Sequence, residues 1–329
     1  MRNHLDEVHA PFSKLENNKK MKTSILKSFE TVIKFLSLYV PYFYRVLSLL
    51  PNKRNTSIGN TDIPIEKNYW RYIYVNFFLY VSRFNKSKSK IEREVSFSIG
   101  TERFHYKLNI NENTQCGIYF NLPNPDLVKL IRKSGGTFLD IGANVGFFSI
   151  LASRYFTNVI SFEPSKRTIQ SFKENIKLNH STNITLVECG LSDREGEMNL
   201  NENPLNAGGN SFEEFDKEMV ASSMRQDWNS YSVPVSTLDN YVLSNNVKKI
   251  DLIKIDVESH EPYVIRGAIK TISQFKPIIY LEIGGKKSFL DQIAAEIPEY
   301  YELINPETMA RLNKNDNLPW DVVFAPKEV

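Results

Sequence analysis

Thr137-Phe-Leu-Asp-Ile-Gly-Ala-Asn-Val-Gly-Phe-Phe-Ser149 is the stretch on which the fold turns. An apolar run, Phe138 to Ile141, ends at two glycines with Asn144 between them, and apolar positions then return at about helical spacing. That order predicts a strand, a tight turn and a helix. Glycines at 142 and 146 let the backbone turn sharply and approach a ligand closely. The free N–H groups of the new helix face whatever lies above the strand end.

Working outward, the same alternation continues. Strands are predicted at Asn158 to Phe162, Ile184 to Cys189, Leu252 to Asp256, Pro277 to Ile283, Tyr301 to Ile304 and Val322 to Ala325, and helices at Leu127 to Ser134, Lys166 to Leu178, Glu261 to Gln274 and Lys286 to Ile297. With the strand at 138 this makes an α/β chain with a doubly wound, mostly parallel sheet, whose ligands bind at the carboxyl ends of its strands. Gly196 to Ser236 breaks the rhythm with polar sequence and Gly208-Gly209-Asn210, which reads as an inserted hairpin with a long loop. Ahead of the sheet, Val95 to Ile99 and Arg103 to Ile110 alternate around Gly100-Thr101-Glu102 as a β-hairpin.

The first 90 residues differ in character from residues 91 to 329. Residues 1 to 22 are polar and lysine-rich, 25 to 50 are strongly apolar but interrupted by Lys34, Pro41 and Arg45, and 69 to 81 are rich in aromatic residues. This is read as a helical N-terminal extension. It lacks the roughly 20 largely uncharged residues that a spanning helix needs, so its apolar faces are expected to lie on the main domain or on a membrane surface. Asn85 to Lys90 is polar enough to be a linker. Cys116 and Cys189 are the only cysteines and lack metal or disulfide spacing, which fits a reducing compartment. Met1-Arg-Asn-His-Leu-Asp-Glu7 lacks an apolar signal core, so a cytoplasmic location is expected. A net charge of +3 on 329 residues gives no dedicated nucleic-acid surface.

The glycine turn excludes two common ligands. A dinucleotide site wants Gly-x-Gly-x-x-Gly, but that frame here gives Gly142, Asn144 and Phe147, and no Gly-Lys-Ser/Thr follows to make a phosphate loop. Acids gather instead: Asp140 ends the first strand, Glu163 the second, and Asp256 with Glu258 the fourth. Such surroundings favour a cation over a polyanion. Glu163 lies 23 residues after Asp140, near the roughly 20 expected for an acid that accepts from ribose hydroxyls. A ribose-bearing cation without a pyrophosphate is S-adenosylmethionine.

Five motifs in order support this ligand: Asp140-Ile-Gly-Ala-Asn-Val-Gly146, Ser161-Phe-Glu-Pro164, Gly190-Leu-Ser-Asp-Arg-Glu-Gly196, Val235-Ser-Thr-Leu-Asp239, and Ile250-Asp-Leu-Ile-Lys-Ile-Asp-Val-Glu-Ser-His-Glu261. Together they resemble the FkbM-type S-adenosylmethionine-dependent methyltransferases over about residues 125 to 285. The resemblance implies a class I methyltransferase (Rossmann-like) fold and methyl transfer to a hydroxyl of a glycan, glycolipid or similar small molecule. It implies that Asp140, Gly142, Ala143, Asn144 and Gly146 form the methionine-side floor, that Glu163 holds the ribose, and that Leu191, Ser192 and Asp193 border the adenine. Lys254, Asp256, Glu258, His260 and Glu261 would face the methyl group and acceptor, with Asp256 also near the cofactor. Ser259 stands where the family usually has glycine, which bears on the local turn and on acceptor fit.

A sugar hydroxyl is a weak nucleophile, so a base is wanted; His260 is the first candidate and Asp256 the second. A bland reading of the same residues has Ser259 capping a helix, Glu258 paired with Lys254, and His260 solvated at a helix start. The Asp-x-Glu-x-His spacing from 256 to 260 has no second cluster to support it as a metal site. Two rival functions share the fold: a nucleic-acid methyltransferase, which would need a basic face beside the pocket, and a non-catalytic cofactor-binding adaptor.

Overall fold

A computed structural model describes residues 53–58 (backbone only), 92–99, 101–110, 112–119, 124–133, 135–203, 207–213, 229–313 and 316–327. The expected helices of residues 25 to 50 and 69 to 81 and the linker at 85 to 90 lie outside these residues. One described segment of the extension is not helical: Lys53–Ile58 (β1) is a strand that pairs in parallel with Glu92–Ile99 (β2). The alternation that makes β2 a strand gives it two edges, and β1 fills the one that Glu102–Asn109 (β3) leaves open.

The main sheet follows from the apolar runs. Thr137–Ile141 (β4), Asn158–Phe162 (β5), Ile184–Val187 (β6), Leu252–Ile255 (β10), Ile278–Glu282 (β11), Tyr301–Ile304 (β12) and Asp321–Pro326 (β13) stand in the order β12-β13-β11-β10-β4-β5-β6, while Gly190–Leu191 (β7), Gly196–Glu202 (β8) and Asn229–Ser236 (β9) form a separate sheet in the order β7-β9-β8. All run in parallel except β13, which is antiparallel to both its neighbours. This is the doubly wound, mostly parallel seven-stranded sheet of the class I methyltransferase fold. Every residue of β4 and of β10 is buried, as central parallel strands covered on both faces require.

Helices Pro125–Lys133 (α2), Phe147–Ala152 (α3), Lys166–Leu178 (α4) and Lys287–Glu296 (α8) match the sequence reading closely. Three details differ from it. The single helix expected over Glu261 to Gln274 is two, Glu261–Arg266 (α6) and Ile269–Phe275 (α7). Asp239 forces the break, because its carboxylate accepts from the N–H groups of Lys270 and Thr271 and so caps a new helix start. Leu238–Ser244 (α5) was not anticipated, although Thr237 caps it by accepting from Asn240 N–H at 3.1 Å. Asn113–Tyr119 (α1) is likewise an unforeseen short helix. Among the described residues no helix is long and apolar enough to cross a membrane.

The hairpin β2-β3 is docked by side chains rather than by a further strand. Backbone N–H groups of His105 and Lys107 donate to Asn179 and Asn175 of α4, and the Tyr106 hydroxyl donates to the Phe147 carbonyl at 3.0 Å. Phe97, Tyr106 and Phe147 pack ring on ring beneath the start of α3, with centroids 5.2 to 5.9 Å apart. The turn before α3 is thus buttressed from below.

Gly146 caps α3 with φ of 82°, and a Cβ there would lie 2.0 Å from the ring of fully buried Phe172. Gly146→Ala combines a left-handed L-residue with overpacking of the core. We expect it to lower the unfolding free energy by about 2–5 kcal/mol, read as a shifted urea midpoint.

Candidate active site

An open cleft of about 520 Å³ lies at the carboxyl ends of β4, β5 and β10, closed on one side by Gly190–Leu191 (β7) and by residues 208 to 212. Of the residues singled out in the sequence, Gly142, Asn144, Glu163, Leu191, Asp256 and Glu258 line it. Among the described residues no basic side chain does. A cleft with three carboxyls and no cation on its walls suits a positively charged or neutral nucleoside, not a polyphosphate.

The β4 turn supplies the floor. Gly142 has φ of 77°, and a Cβ on it would meet the Asp256 carbonyl oxygen at 1.9 Å, so only glycine lets β4 and β10 close so tightly. The N–H groups of Gly142 and Ala143 both donate to the Phe162 carbonyl at 3.0 Å. Asn144, at φ of 52°, aims its own N–H at Glu163 Oε2, 2.8 Å away. Glu163 Oε1 accepts from Ser165 N–H at 2.9 Å and from the Thr168 hydroxyl at 2.8 Å. Of the about four acceptor positions of a carboxylate, one on Oε2 is left for a donor in the cleft. Burial raises the Glu163 pKa, opposed by those three donors.

Asp140 does not reach the cleft. Fully buried, it accepts from the Ser149 hydroxyl at 2.5 Å, and its other oxygen lies 3.5 Å from the Lys254 ammonium. Lys254 is also behind the wall, donating to the Gly142 carbonyl at 2.9 Å and pairing with Asp256 at 3.2 Å. Burial works against its charge, but Asp256 and Asp140 outweigh that and raise its pKa. Ala143 and Gly146 shape the turn without lining the cleft.

The largest difference from the sequence reading concerns His260. It is 1% exposed, and both ring nitrogens are engaged: Nδ1 with Glu213 at 2.7 Å and Nε2 with the Ser192 hydroxyl at 3.0 Å. Tyr263 stacks on its ring at 4.5 Å and Phe212 meets it edge-on. Burial lowers its pKa. In this geometry no nitrogen is free for an acceptor hydroxyl, and the residue ties the 207 to 213 segment to the strand side of the cleft. Ser192 is consumed by the same contact, and Asp193 faces Arg266 at 3.6 Å, so neither borders the cleft. Leu191 alone of that trio does.

On the opposite wall, Glu258 and Ser259 follow Asp256 with φ of 54° and 79°. Glu261 is not solvated; its carboxylate accepts from the N–H groups of Val257 and Ser259, holding the turn. Burial, then the charges of Asp256 and Glu261, push the Glu258 pKa to about 8. A residue absent from the sequence reading joins here: Glu282, at the end of β11. Its carboxyl bonds to Asp256, and burial with the Asp256 charge pushes its pKa to about 10. The oxygens of Asp256, Glu258 and Glu282 lie within 4.8 Å of one another, a set that could hold a divalent cation, although the Glu282 proton and the Lys254 ammonium already balance much of its charge. An acid at the carboxyl end of a parallel strand was the available signal for Glu282; Ser211, whose hydroxyl donates to the Glu258 carbonyl at 2.6 Å, gave none.

The sequence model of the methyltransferase FkbM domain matches residues 140–305. The chain is 28% identical over 181 residues to 2-O-methyltransferase NoeI of Sinorhizobium fredii, covering 51% of this chain and 71% of that protein. It is 29% identical over 157 residues to hexuronic acid methyltransferase AglP of Haloferax volcanii, covering 47% and 60% respectively. With Methyltransferase 1 of Beauveria bassiana it shares 26% over 141 residues, 39% of this chain and 57% of that one. The matches thus span 57% to 71% of these relatives' lengths. A crystal structure of a methyltransferase FkbM from Methylobacillus flagellatus KT aligns over 57% of this chain and 43% of its own, with 17% identity and a TM-score of 0.38.

Lys254→Met would leave Asp140 buried with no cation beside it. We expect a loss of about 3–5 kcal/mol in denaturant unfolding, the cost of breaking a buried pair from one side.

Proposed function

The chain belongs to the FkbM methyltransferase family, and from that premise we propose that it moves a methyl group from S-adenosylmethionine to a hydroxyl of a glycan, glycolipid precursor or similar small molecule. The observation that carries the reading is the cleft itself, lined by Glu163, Asp256 and Glu258 and, among the described residues, by no basic side chain. The names of two relatives support the acceptor class, one specifying 2-O-methylation and the other a hexuronic acid. We also propose a cytoplasmic location, with the apolar stretches at 25 to 50 and 69 to 81 as the segments available for peripheral membrane contact or for packing on the main domain.

The donor set fits the cofactor. Glu163 keeps one acceptor position open for a ribose hydroxyl, Phe162, Leu191 and Phe212 offer apolar walls to a purine, and the carboxyls favour a cation. S-adenosylmethionine, when bound, supplies an electrophilic methyl on a sulfonium. The chain supplies alignment and a proton acceptor. Asn144 and Gly142 fix the floor so that reacting atoms are held in line, which can account for much of the rate. Glu258, once ionised, would receive the proton that the acceptor hydroxyl gives up on methylation, the donor leaving as its neutral thioether. His260 acts at a distance, by holding Phe212 and Glu213 at the cleft wall.

Isothermal calorimetry tests the donor site: the chain should bind S-adenosylmethionine and its homocysteine product, and Glu163→Ala should weaken both by at least tenfold, about 1.4 kcal/mol. Absence of binding by the unaltered chain would sink the reading. The pH profile tests the base. Because Glu258 works ionised and its pKa is about 8, kcat should rise with pH and level off above 8. Glu258→Gln should remove that inflection and lower kcat by about 10²- to 10⁴-fold, whereas an unchanged profile would return the base to another group.

A further inference from the structure

Beyond the cleft wall stands a large aromatic side chain that is both exposed and fixed. Trp320 is 66% exposed. A single exposed apolar residue needs no explanation when it is free to move, but this one is held at three points. Its carbonyl accepts from the N–H groups of Ile283 and Gly284, each at 3.0 Å, and its indole N–H donates to Glu282. Glu282 in turn bonds to Asp256, which lines the cleft. The ring therefore stands one carboxyl away from the reacting region, with its orientation set by a bond that turning inward would break.

We propose that the open face of Trp320 is the platform on which a neutral pyranose ring of the methyl acceptor stacks, with Asp256, Glu258 and Glu282 receiving its hydroxyl groups. This rests on the reading of the acceptor as a sugar hydroxyl. A pyranose has an apolar C–H face and a rim of hydroxyl donors, and it needs a flat apolar surface beside acceptor oxygens. Here those two surfaces are joined by the indole N–H itself. Trp320 also lies outside the matched family region, residues 140–305, where differences in acceptor choice can accumulate without disturbing the donor site.

The test measures labelled methyl transfer from S-adenosylmethionine by the 329-residue chain to methyl glycosides of glucose, galactose, mannose, fucose and rhamnose. The same glycosides are titrated by calorimetry into the chain loaded with S-adenosylhomocysteine. We expect Trp320→Ala to raise acceptor KM about tenfold, or about 1.4 kcal/mol, with kcat and the KM for S-adenosylmethionine unchanged. Trp320→Phe, which keeps a ring face but no N–H, should stay within about threefold of the unaltered chain, since aromatic faces substitute for one another. An unchanged KM in Trp320→Ala overturns the platform and leaves the sugar reading standing. A Trp320→Phe as impaired as Trp320→Ala also overturns it, because the bond to Glu282 would then be what matters. If no glycoside binds while cofactor binding is intact, the platform and the sugar acceptor both fall, and the methyl-donor site survives.

Discussion

The Lys254 ammonium is the interaction on which the site depends. It lies between Asp140 and Asp256 and donates to the Gly142 carbonyl, so one charge ties the two central strands to the turn that begins α3. The buried carboxylate of Asp140 and the partly buried one of Asp256 would repel each other, and a buried lysine alone would lose its proton. Each charge persists only because the other is there. The tie also explains the close approach of Gly142 to the Asp256 carbonyl: the strands are drawn together at the point where a side chain on residue 142 could not fit.

From this tie the two ends of the cleft diverge. On the donor side, Glu163 is held by three donors from three neighbouring residues, so its remaining lone pair has a fixed direction before any ligand arrives. Preorganisation of that kind keeps the cost of binding low. On the acceptor side the backbone is strained instead, with Glu258 and Ser259 both at positive φ. Glycine would adopt the Ser259 conformation freely, which gives the family's usual glycine a physical reason; serine holds it because Glu261 accepts from both Val257 N–H and Ser259 N–H and locks the turn.

Much of this was legible in the sequence because parallel strands are written as apolar runs and the ligand turn as glycines. Phe138 to Ile141 and Lys166 to Leu178 announce themselves through period and caps, and Asp140, Glu163 and Asp256 through their places at strand ends. What could not be read was direction. Asp140 ends its strand as expected yet points inward to Ser149 and Lys254, because the alternation of side chains along a strand does not say which end residue faces the ligand. His260 stood in the right motif, but its partners Glu213 and Ser192 are 47 and 68 residues away in sequence, and only the folded insert brings them onto its two nitrogens. The break between α6 and α7 was hidden for the same reason, since the cap comes from Asp239 on another helix.

The proposal that Glu258 rather than His260 is the base rests on charge crowding. Asp256, Glu258, Glu261 and Glu282 share a small volume with the ammonium groups of Lys254 and, more distantly, Lys286, too few to keep all four ionised together at neutral pH. Lys254 holds Asp256 in its ionised form, and Asp256 in turn favours the proton on Glu282. Glu258, raised by burial and by the same negative neighbour but without a direct cation, is left near 8, where a carboxylate is basic enough to receive a hydroxyl proton and still populated. His260 follows the opposite course, because burial lowers its pKa and both nitrogens are spent on contacts that shape the wall. In the proposed mechanism a carboxyl takes the role that histidine's ordinary pKa would suggest for it, and the imidazole, engaged at both nitrogens, becomes part of the frame.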